Sequence, residues 1–374
     1  MKIWRLVLPL ALLLLLMVSV PMPTEGKEKN ELTFIVKSSP YALFESRLHI
    51  ENKELARDIL KGKQVSTKHA PELPFAYVEI KKGTKTETFM ISYAYNLFQV
   101  ETGVKIVLPP ETKMKIHSYL SMLRKHHFGE SVSWKEAEKL FPRKGYAEVV
   151  DIESGLRFMV QRRAGSQHAD VQPITVADTE TMKDIYNGKW SWKRRAILVR
   201  TEGRTLAGSM HGMPHGGGAI SWNNFPGHFC IHFKDSTTHR RAIPDPGHDL
   251  MITKASGLLH DRIVQGSPEE LVSLFITAVN EQDESIIKLL LNQYEADRVE
   301  KLLQQLDQIE GVKIHSLESG SSPKDNFLMQ EIMATIRVKR KEQKEQQLGV
   351  IFLLSRESVI DRWKLELNPL ISQL

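Results

Sequence analysis

The sequence is poor in cysteine and has no strong excess of charge of either sign. With a single Cys in 374 residues, no disulfide can form within the chain, which excludes a disulfide-stabilised scaffold. The 51 Lys and Arg residues nearly balance 45 Asp and Glu residues, and no basic cluster with interleaved aromatic side chains forms a recognisable nucleic-acid-binding motif. We therefore predict no nucleic-acid partner. The hydrophobic content of 41% is that of a folded protein and excludes disorder.

One apolar run stands out, and it lies at the N-terminus. Residues 6–20 are apolar except for a proline and a serine, and Lys2 and Arg5 precede them. This pattern is typical of a secretory signal peptide, and the run is short for a membrane span, which needs about 20 residues. We predict a signal peptide over 1–26, with Lys27 as the mature N-terminus. The protein is then secreted or associated with the cell wall, and it meets the membrane only through this segment before cleavage.

Changes in composition divide the mature chain into three parts. Strand-like runs at 75–80 and 88–95, joined by a Gly-containing turn, indicate a hairpin in the first part. The predicted fold class is multidomain, β-rich and α+β. A central, mostly-β domain of catalytic type over 146–266 is flanked by a small α+β module over 27–145 and by an α+β domain over 267–374.

The C-terminal part has its own pattern of helices followed by strands. Ser267 and Pro268 are typical of a helix start, and three helices are predicted to follow, the last ending near residue 309. Three strands are then predicted, at 329–338, 349–354 and 359–367. This order resembles the cone-shaped α+β fold of nuclear-transport-factor-like domains, and the resemblance implies an accessory role.

Histidines are concentrated in the central part. Seven of the 14 histidines, and the only cysteine, lie between His168 and His248. Alternating apolar residues around Gly-containing turns predict two β-hairpins here, at 147–152 with 156–163 and at 196–200 with 204–210. Two of the seven, His239 and His248, lie in a segment rich in Arg, Pro and Asp, and we predict that they are solvated or support a site indirectly.

The segment 227–233 places reactive side chains on one face of a strand. The period of two puts His228, Cys230 and His232 on one side and Phe229 and its apolar neighbours on the other. A neighbouring imidazolium is expected to favour the thiolate, which would make Cys230 a nucleophile. The alternative is that Cys230 is a small buried apolar side chain. An exported protein seldom retains an unpaired thiol without a use, which favours the nucleophile.

The same region resembles the YkuD-type L,D-transpeptidases of the bacterial cell wall. Their signature is a histidine, about fifteen residues, and then Ser/Thr-His-Gly-Cys-apolar-Arg/Asn. Here His211 begins the pattern, and Gly-His-Phe-Cys-Ile-His at 227–232 completes it at matching spacing. Three positions depart from the signature: Gly227 replaces Ser/Thr, Phe229 replaces Gly, and His232 replaces Arg/Asn.

The resemblance implies a transpeptidase or carboxypeptidase that acts on peptidoglycan stem peptides without a cofactor. Cys230 would attack a peptide carbonyl and form a thioester, which an amine or water resolves. His211 is the predicted base because it matches the histidine of the signature. His215 is the second candidate because His-Gly recurs there, and His228 or His232 would polarise the pair.

A zinc-dependent cell-wall peptidase is the alternative enzyme. His168, Asp170 and His232 offer the three protein ligands that catalytic zinc needs. Ser166 and His168, with a later His-Phe, resemble D-alanyl-D-alanine-type zinc peptidases. A non-catalytic wall-binding protein is the third possibility. The sequence gives no prediction of oligomeric state.

Two tryptophans and two arginines are candidates for substrate binding. Trp190 and Trp192 alternate on a predicted strand edge just before Arg194 and Arg195. One Trp is expected to pack in the core, and the other could form a stacking floor for a peptidoglycan stem. The two guanidinium groups are predicted to bind carboxylates of that stem.

Overall fold

The computed structural model describes residues 31–66, 73–238, 243–291, 296–320, 327–367 and 373. The predicted signal peptide and His239 lie outside these ranges. Strands account for 38% of the described residues and helices for 29%, so the predicted β-rich α+β class is confirmed. No helix in the described part combines the length and the apolar content needed to cross a membrane.

The first part of the described chain forms an antiparallel sheet with three helices. Its seven strands pair in the order β2-β1-β4-β5-β6-β7-β3. The strands are β1 Glu31–Lys37, β2 Glu45–Ile50, β3 Lys63–Val65, β4 Pro74–Lys82, β5 Lys85–Ser92, β6 Leu97–Gln99 and β7 Lys105–Val107. The helices are α1 Lys53–Leu60, α2 Pro110–His127 and α3 Trp134–Leu140. The predicted hairpin is β4 and β5, whose turn at Gly83 has the positive φ that glycine tolerates.

The central part is a closed six-stranded barrel, with strand order β10-β13-β12-β11-β8-β9. Its strands are β8 Tyr146–Asp151, β9 Arg157–Ala164, β10 Ala169–Pro173, β11 Arg194–Thr201, β12 Arg204–His211 and β13 Phe229–His232. Three helices accompany them: α4 Val176–Ile185, α5 Pro246–Ala255 and α6 Leu259–Gln265. Both predicted hairpins are confirmed, as β8 with β9 and β11 with β12. Closure of the barrel needs β10 and β13, which are far apart in sequence.

The last part contains three helices and a four-stranded antiparallel sheet. The helices are α7 Pro268–Glu281, α8 Glu284–Leu290 and α9 Ala296–Leu306. The strands are β14 Ile309–Ser319, β15 Met329–Arg340, β16 Gln346–Ser355 and β17 Lys364–Leu365, paired in that order. The predicted start of α7 is confirmed, because the Ser267 side chain accepts from the Glu270 amide and Pro268 occupies the first turn.

Helix α5 connects the barrel to the last part of the chain. It packs against β11 and β12 on one side and against α7 on the other. A buried ion cluster lies at this join: the Lys254 ammonium is 2.6 Å from an Asp283 carboxylate oxygen and 2.9 Å from a Glu153 carboxylate oxygen. Because two carboxylates surround it, Lys254 retains a raised pKa although it is buried. The apolar core is continuous across the join.

Candidate functional site

Strand register brings a carboxylate directly opposite the cysteine. Strands β10 and β13 run antiparallel, and Asp170 is the register partner of Cys230. Side chains of directly paired residues project from the same face of a sheet. The Cys230 Sγ is 3.7 Å from the Asp170 Oδ1, so the thiol can donate to this carboxylate.

The predicted alternation along β13 is present in the structure. Phe229 and Ile231 are completely buried in an apolar cluster, where Phe229 packs near Phe158. Cys230 and His232 occupy the other face, against polar groups. The side chain of Phe229, which replaces a glycine of the signature, therefore points away from the sulfur.

His215 is the imidazole that contacts the cysteine. Its Nε2 is 3.4 Å from the Cys230 Sγ, and its Nδ1 is 3.1 Å from the Met213 carbonyl oxygen. A carbonyl oxygen only accepts, so Nδ1 carries the hydrogen and donates it there. In the neutral ring, Nε2 then presents its lone pair to the thiol. The Cys230 thiol, the His215 ring and the Met213 carbonyl are thus arranged as a nucleophile, a base and a group that orients the base.

The loop over 212–228 is closed by a tight backbone pairing that holds His215 in place. The amides and carbonyls of His215 and His228 exchange two hydrogen bonds, of 2.9 and 2.8 Å. Gly227 beside this pairing has φ +101°, and a Cβ built there would lie 2.4 Å from the His215 carbonyl oxygen. Any other residue would displace that backbone, which gives a physical reason for Gly227 where the signature has Ser or Thr.

Asp170 gathers two further imidazoles. Its Oδ1 lies 3.2 Å from the His168 Nε2 and 3.8 Å from the His228 Nε2. The Nδ1 atoms of both rings lie within 2.9 Å of backbone carbonyls, those of Thr237 and Gly217. As in His215, these carbonyls fix the hydrogen on Nδ1 and direct Nε2 into the site.

A stack of three imidazoles extends the site toward α5. The His232 ring lies between His168, at a centroid distance of 4.4 Å, and His248, at 3.7 Å. His248 also bonds to the Ser209 hydroxyl through Nδ1, at 2.9 Å. Of the two alternatives predicted for His248, the solvated one is wrong, because His248 lies on α5 and is buried against the barrel, where it packs on His232. The Asp245-Pro246 pair that caps α5 was the sequence signal for this helix.

Burial sets the protonation state of these groups. Desolvation, followed by the Asp170 carboxylate, raises the pKa of the Cys230 thiol far above its ordinary value. The expectation that neighbouring imidazolium groups favour a thiolate is therefore wrong. Desolvation also lowers the pKa of His211 to about 3 and that of His248 well below its ordinary range. At neutral pH the site holds a neutral thiol beside neutral His211 and His248.

The two tryptophans have different environments. Trp190 packs edge-on against Phe225 beside the apolar cluster, whereas Trp192 is 52% exposed and its ring lies against His211 and His215, at centroid distances of 4.7 and 5.4 Å. Trp192 is thus the tryptophan at the site.

The two arginines that follow are engaged by carboxylates of the chain itself. Arg194 pairs with Asp245 at 2.7 Å and with Glu281 at 3.5 Å. Arg195 forms a two-pronged pair with the fully buried Asp151, at 2.7 and 2.9 Å. Both guanidinium groups therefore already have acidic partners, and their predicted role toward substrate carboxylates has no support in the geometry.

Among the described residues, two groups of possible metal ligands both include the Cys230 Sγ. The donor atoms of His168, Asp170 and Cys230 all lie within 4.8 Å of one another, and so do those of His211, His215 and Cys230. Neither of these groups, within the described part of the chain, includes His232, which the sequence placed with His168 and Asp170. Its ring instead stacks between those of His168 and His248.

The arrangement can support two kinds of chemistry. A thiol in line with an oriented imidazole can act as a nucleophile, and a thiol beside a carboxylate and an imidazole can bind a metal ion. Sequence reasoning identified Cys230 and most of the imidazoles but did not pair Asp170 with the sulfur. No protein-family model matches the chain, and no curated protein matches its sequence.

Proposed function

We propose that this protein is a cysteine-dependent acyltransferase of the cell envelope, an L,D-transpeptidase-like enzyme or carboxypeptidase that acts on peptidoglycan stem peptides. The observation that carries the proposal is the line of groups from the Cys230 Sγ through His215 to the Met213 carbonyl. The substrate class comes from the sequence resemblance. The three-part domain arrangement and the nuclear-transport-factor-like C-terminal domain belong to the same proposal.

The reaction begins with a neutral thiol and a neutral imidazole. As the Cys230 sulfur attacks the carbonyl carbon of a stem peptide, its proton passes to the His215 Nε2. The tetrahedral intermediate collapses by breaking the carbon–nitrogen bond, and the leaving amine takes the proton from His215. A thioester remains on the sulfur. An amine or water then attacks this thioester and gives its proton to His215, and the thiol is regenerated with that proton.

Proton transfer during attack suits this site better than a preformed ion pair. A thiolate would be destabilised by burial and by the Asp170 carboxylate, which together raise the thiol pKa. The imidazole therefore takes up the proton as the sulfur bonds to carbon, as in a serine–histidine pair. His211, the base that the resemblance implies, is buried with its ring beside His215 at 5.2 Å, and in this proposal it packs against the base.

Substrate would approach past Trp192. Its exposed ring adjoins His215, and the neighbouring loop residues 216–219 are exposed as well. An aromatic face at this edge can stack against an apolar or planar part of a stem peptide. Cys230 itself is only 4% exposed, so in this proposal substrate reaches the sulfur between Trp192 and that loop.

Export is part of the proposed function. Peptidoglycan lies outside the cytoplasmic membrane, and the apolar run at 6–20 is the feature that supports secretion. N-terminal sequencing of protein from the culture or wall fraction is expected to give a chain that begins near Lys27. Recovery only of a cytosolic chain that begins at Met1 would contradict export.

A mass measurement tests the acyl-enzyme. Full-length mature protein, treated with a chelator and then with a carbapenem, is expected to gain the mass of one carbapenem, because the β-lactam carbonyl acylates the sulfur. Cys230→Ser is expected to lose the adduct, since a hydroxyl is intrinsically a much weaker nucleophile than the thiol for which this site is shaped. His315→Gln, which changes an exposed histidine outside the barrel, is the control and is expected to react as wild type.

Stem peptides provide the second half of this test. Wild type is expected to convert a tetrapeptide stem into a cross-linked or shortened product, and Cys230→Ser is not. Folded wild type that neither binds carbapenem covalently nor processes stems would overturn the proposal and leave a wall-binding protein. Turnover that survives in Cys230→Ser but disappears with a chelator would identify the zinc peptidase instead.

A further inference from the structure

Three donor atoms of the site are spaced as the ligands of one zinc ion. The Asp170 Oδ1 is 3.2 Å from the His168 Nε2 and 3.7 Å from the Cys230 Sγ. Zinc bonds of about 2.0–2.3 Å in a tetrahedron place neighbouring ligand atoms roughly 3.3–3.8 Å apart. Both distances lie within about 0.1 Å of this range before any rearrangement of the side chains, and the third pair, the His168 Nε2 and the Cys230 Sγ, lies within 4.8 Å.

The ring orientation of His168 allows a cation between it and Asp170. Because Nδ1 lies 2.8 Å from the Thr237 carbonyl oxygen, it must donate its hydrogen there. The Nε2 atom then faces the Asp170 Oδ1 at 3.2 Å, a position where either a hydrogen on Nε2 or a metal ion bound by both atoms satisfies the pair. A carbonyl that accepts from the far nitrogen is also the usual support of a zinc-binding histidine.

Paired barrel strands hold two of the three ligands, and the third adjoins one of these strands. Asp170 and Cys230 are register partners on paired barrel strands, and His168 directly precedes β10 with its ring stacked on His232. The three side chains are between 1% and 6% exposed. A site of this kind is formed in advance, and its mixed oxygen, nitrogen and sulfur ligands suit Zn²⁺ better than Mg²⁺ or Ca²⁺, which prefer oxygen alone.

We propose that His168, Asp170 and Cys230 form a zinc site, and that zinc bound there withholds the sulfur from acyl transfer. On binding, the metal–sulfur bond forms, the S–H bond breaks, and the proton leaves to solvent. The sulfur lone pair that would attack a carbonyl is then engaged by the metal. The zinc site stands on geometry alone, whereas the inhibition rests on the proposed function.

Direct metal binding tests the site. Full-length mature protein, freed of metal with a chelator, is titrated with Zn²⁺ by calorimetry and with Co²⁺ by visible spectroscopy. We expect one Zn²⁺ per chain, and a tetrahedral Co²⁺ spectrum with a sulfur-to-metal charge-transfer band. His168→Gln and Asp170→Asn are expected to weaken zinc binding by more than about 100-fold, because loss of a supporting residue alone costs 10–100-fold. His315→Gln, the matched control, is expected to bind zinc as wild type.

The sulfur ligand has its own readout. In Cys230→Ser the charge-transfer band is expected to disappear. A native thermal unfolding transition in this variant would exclude misfolding as the cause. A wild type that binds no Zn²⁺ at micromolar concentration, or that shows no sulfur band with Co²⁺, would overturn the site. Zinc binding unchanged in both His168→Gln and Asp170→Asn would overturn the ligand assignment.

The inhibition is tested separately from the site. One equivalent of Zn²⁺ is expected to abolish carbapenem acylation of wild type, and a chelator is expected to restore it. In Asp170→Asn the same amount of zinc is expected to leave labelling of Cys230 by a thiol reagent unaffected. Zinc that binds without suppressing acylation would overturn the inhibition. Metal-free protein that binds zinc but never reacts with carbapenem would overturn the proposed function and leave the zinc site intact.

Discussion

Replacement of His215 by glutamine is expected to slow acylation of Cys230 by about 10²–10⁴-fold, the range that a positioned general base contributes. The glutamine amide remains polar beside the sulfur, but it cannot take the thiol proton. Because burial raises the pKa of that thiol, almost no thiolate forms without the base. The measurement is the rate of carbapenem adduct formation in metal-free protein, followed by mass spectrometry.

The pH dependence of the variant separates a base from a merely structural residue. In His215→Gln the thiol must ionise by itself, so the residual rate is expected to rise about tenfold per pH unit across neutral pH. His211→Gln is the matched comparison, since its ring lies beside His215 but its own pKa is lowered to about 3 by burial. A greater loss of rate in His211→Gln than in His215→Gln would assign the base to His211, as the sequence resemblance implies.

Local pattern was enough to predict much of the fold. The hairpin turn at Gly83, the Ser267 cap of α7 and the alternation along β13 each arise within about ten residues, and all three are present. Strand β14 was not predicted, because the preceding helix was expected to extend to about residue 309. Helix α9 ends at Leu306, and Gly311 lies at an irregularity of the β14–β15 pairing.

The site was less predictable because it depends on contacts between distant strands. Asp170 and Cys230 are 60 positions apart, and only closure of the barrel makes them register partners. The thiol pKa could not be predicted either: neighbouring histidines in the sequence suggested a lowered value, whereas burial determines its direction. His215 contacts the sulfur in a loop closed by the backbone pairing between His215 and His228, which no residue pattern specifies.

Two buried histidines outside the site are expected to destabilise the fold in mild acid. His127 at the end of α2 and His260 on α6 are held neutral, and desolvation lowers their pKa values to about 3 and about 4. In the unfolded chain both titrate near the ordinary value of 6.5. Between these limits the unfolded state binds more protons than the folded state, so stability is complete above about pH 6.5 and is lost as the pH falls toward the folded values.

The expected loss is about 2 kcal/mol per histidine at pH 5, or about 4 kcal/mol for both, at 1.36 kcal/mol per unit of pKa difference. Urea unfolding at pH 7.5 and pH 5 measures it. His260→Gln, which can still donate to the Pro74 carbonyl, is expected to reduce the pH effect by about 2 kcal/mol, its own share, whereas His315→Gln leaves it unchanged. The buried His211 and His248 of the site, whose pKa values are also lowered, contribute to the same pH effect. Glu281, whose pKa burial raises, opposes the trend slightly, since its protonation favours the folded state in acid. Equal stability at the two pH values would show that both imidazoles accept protons in the folded protein.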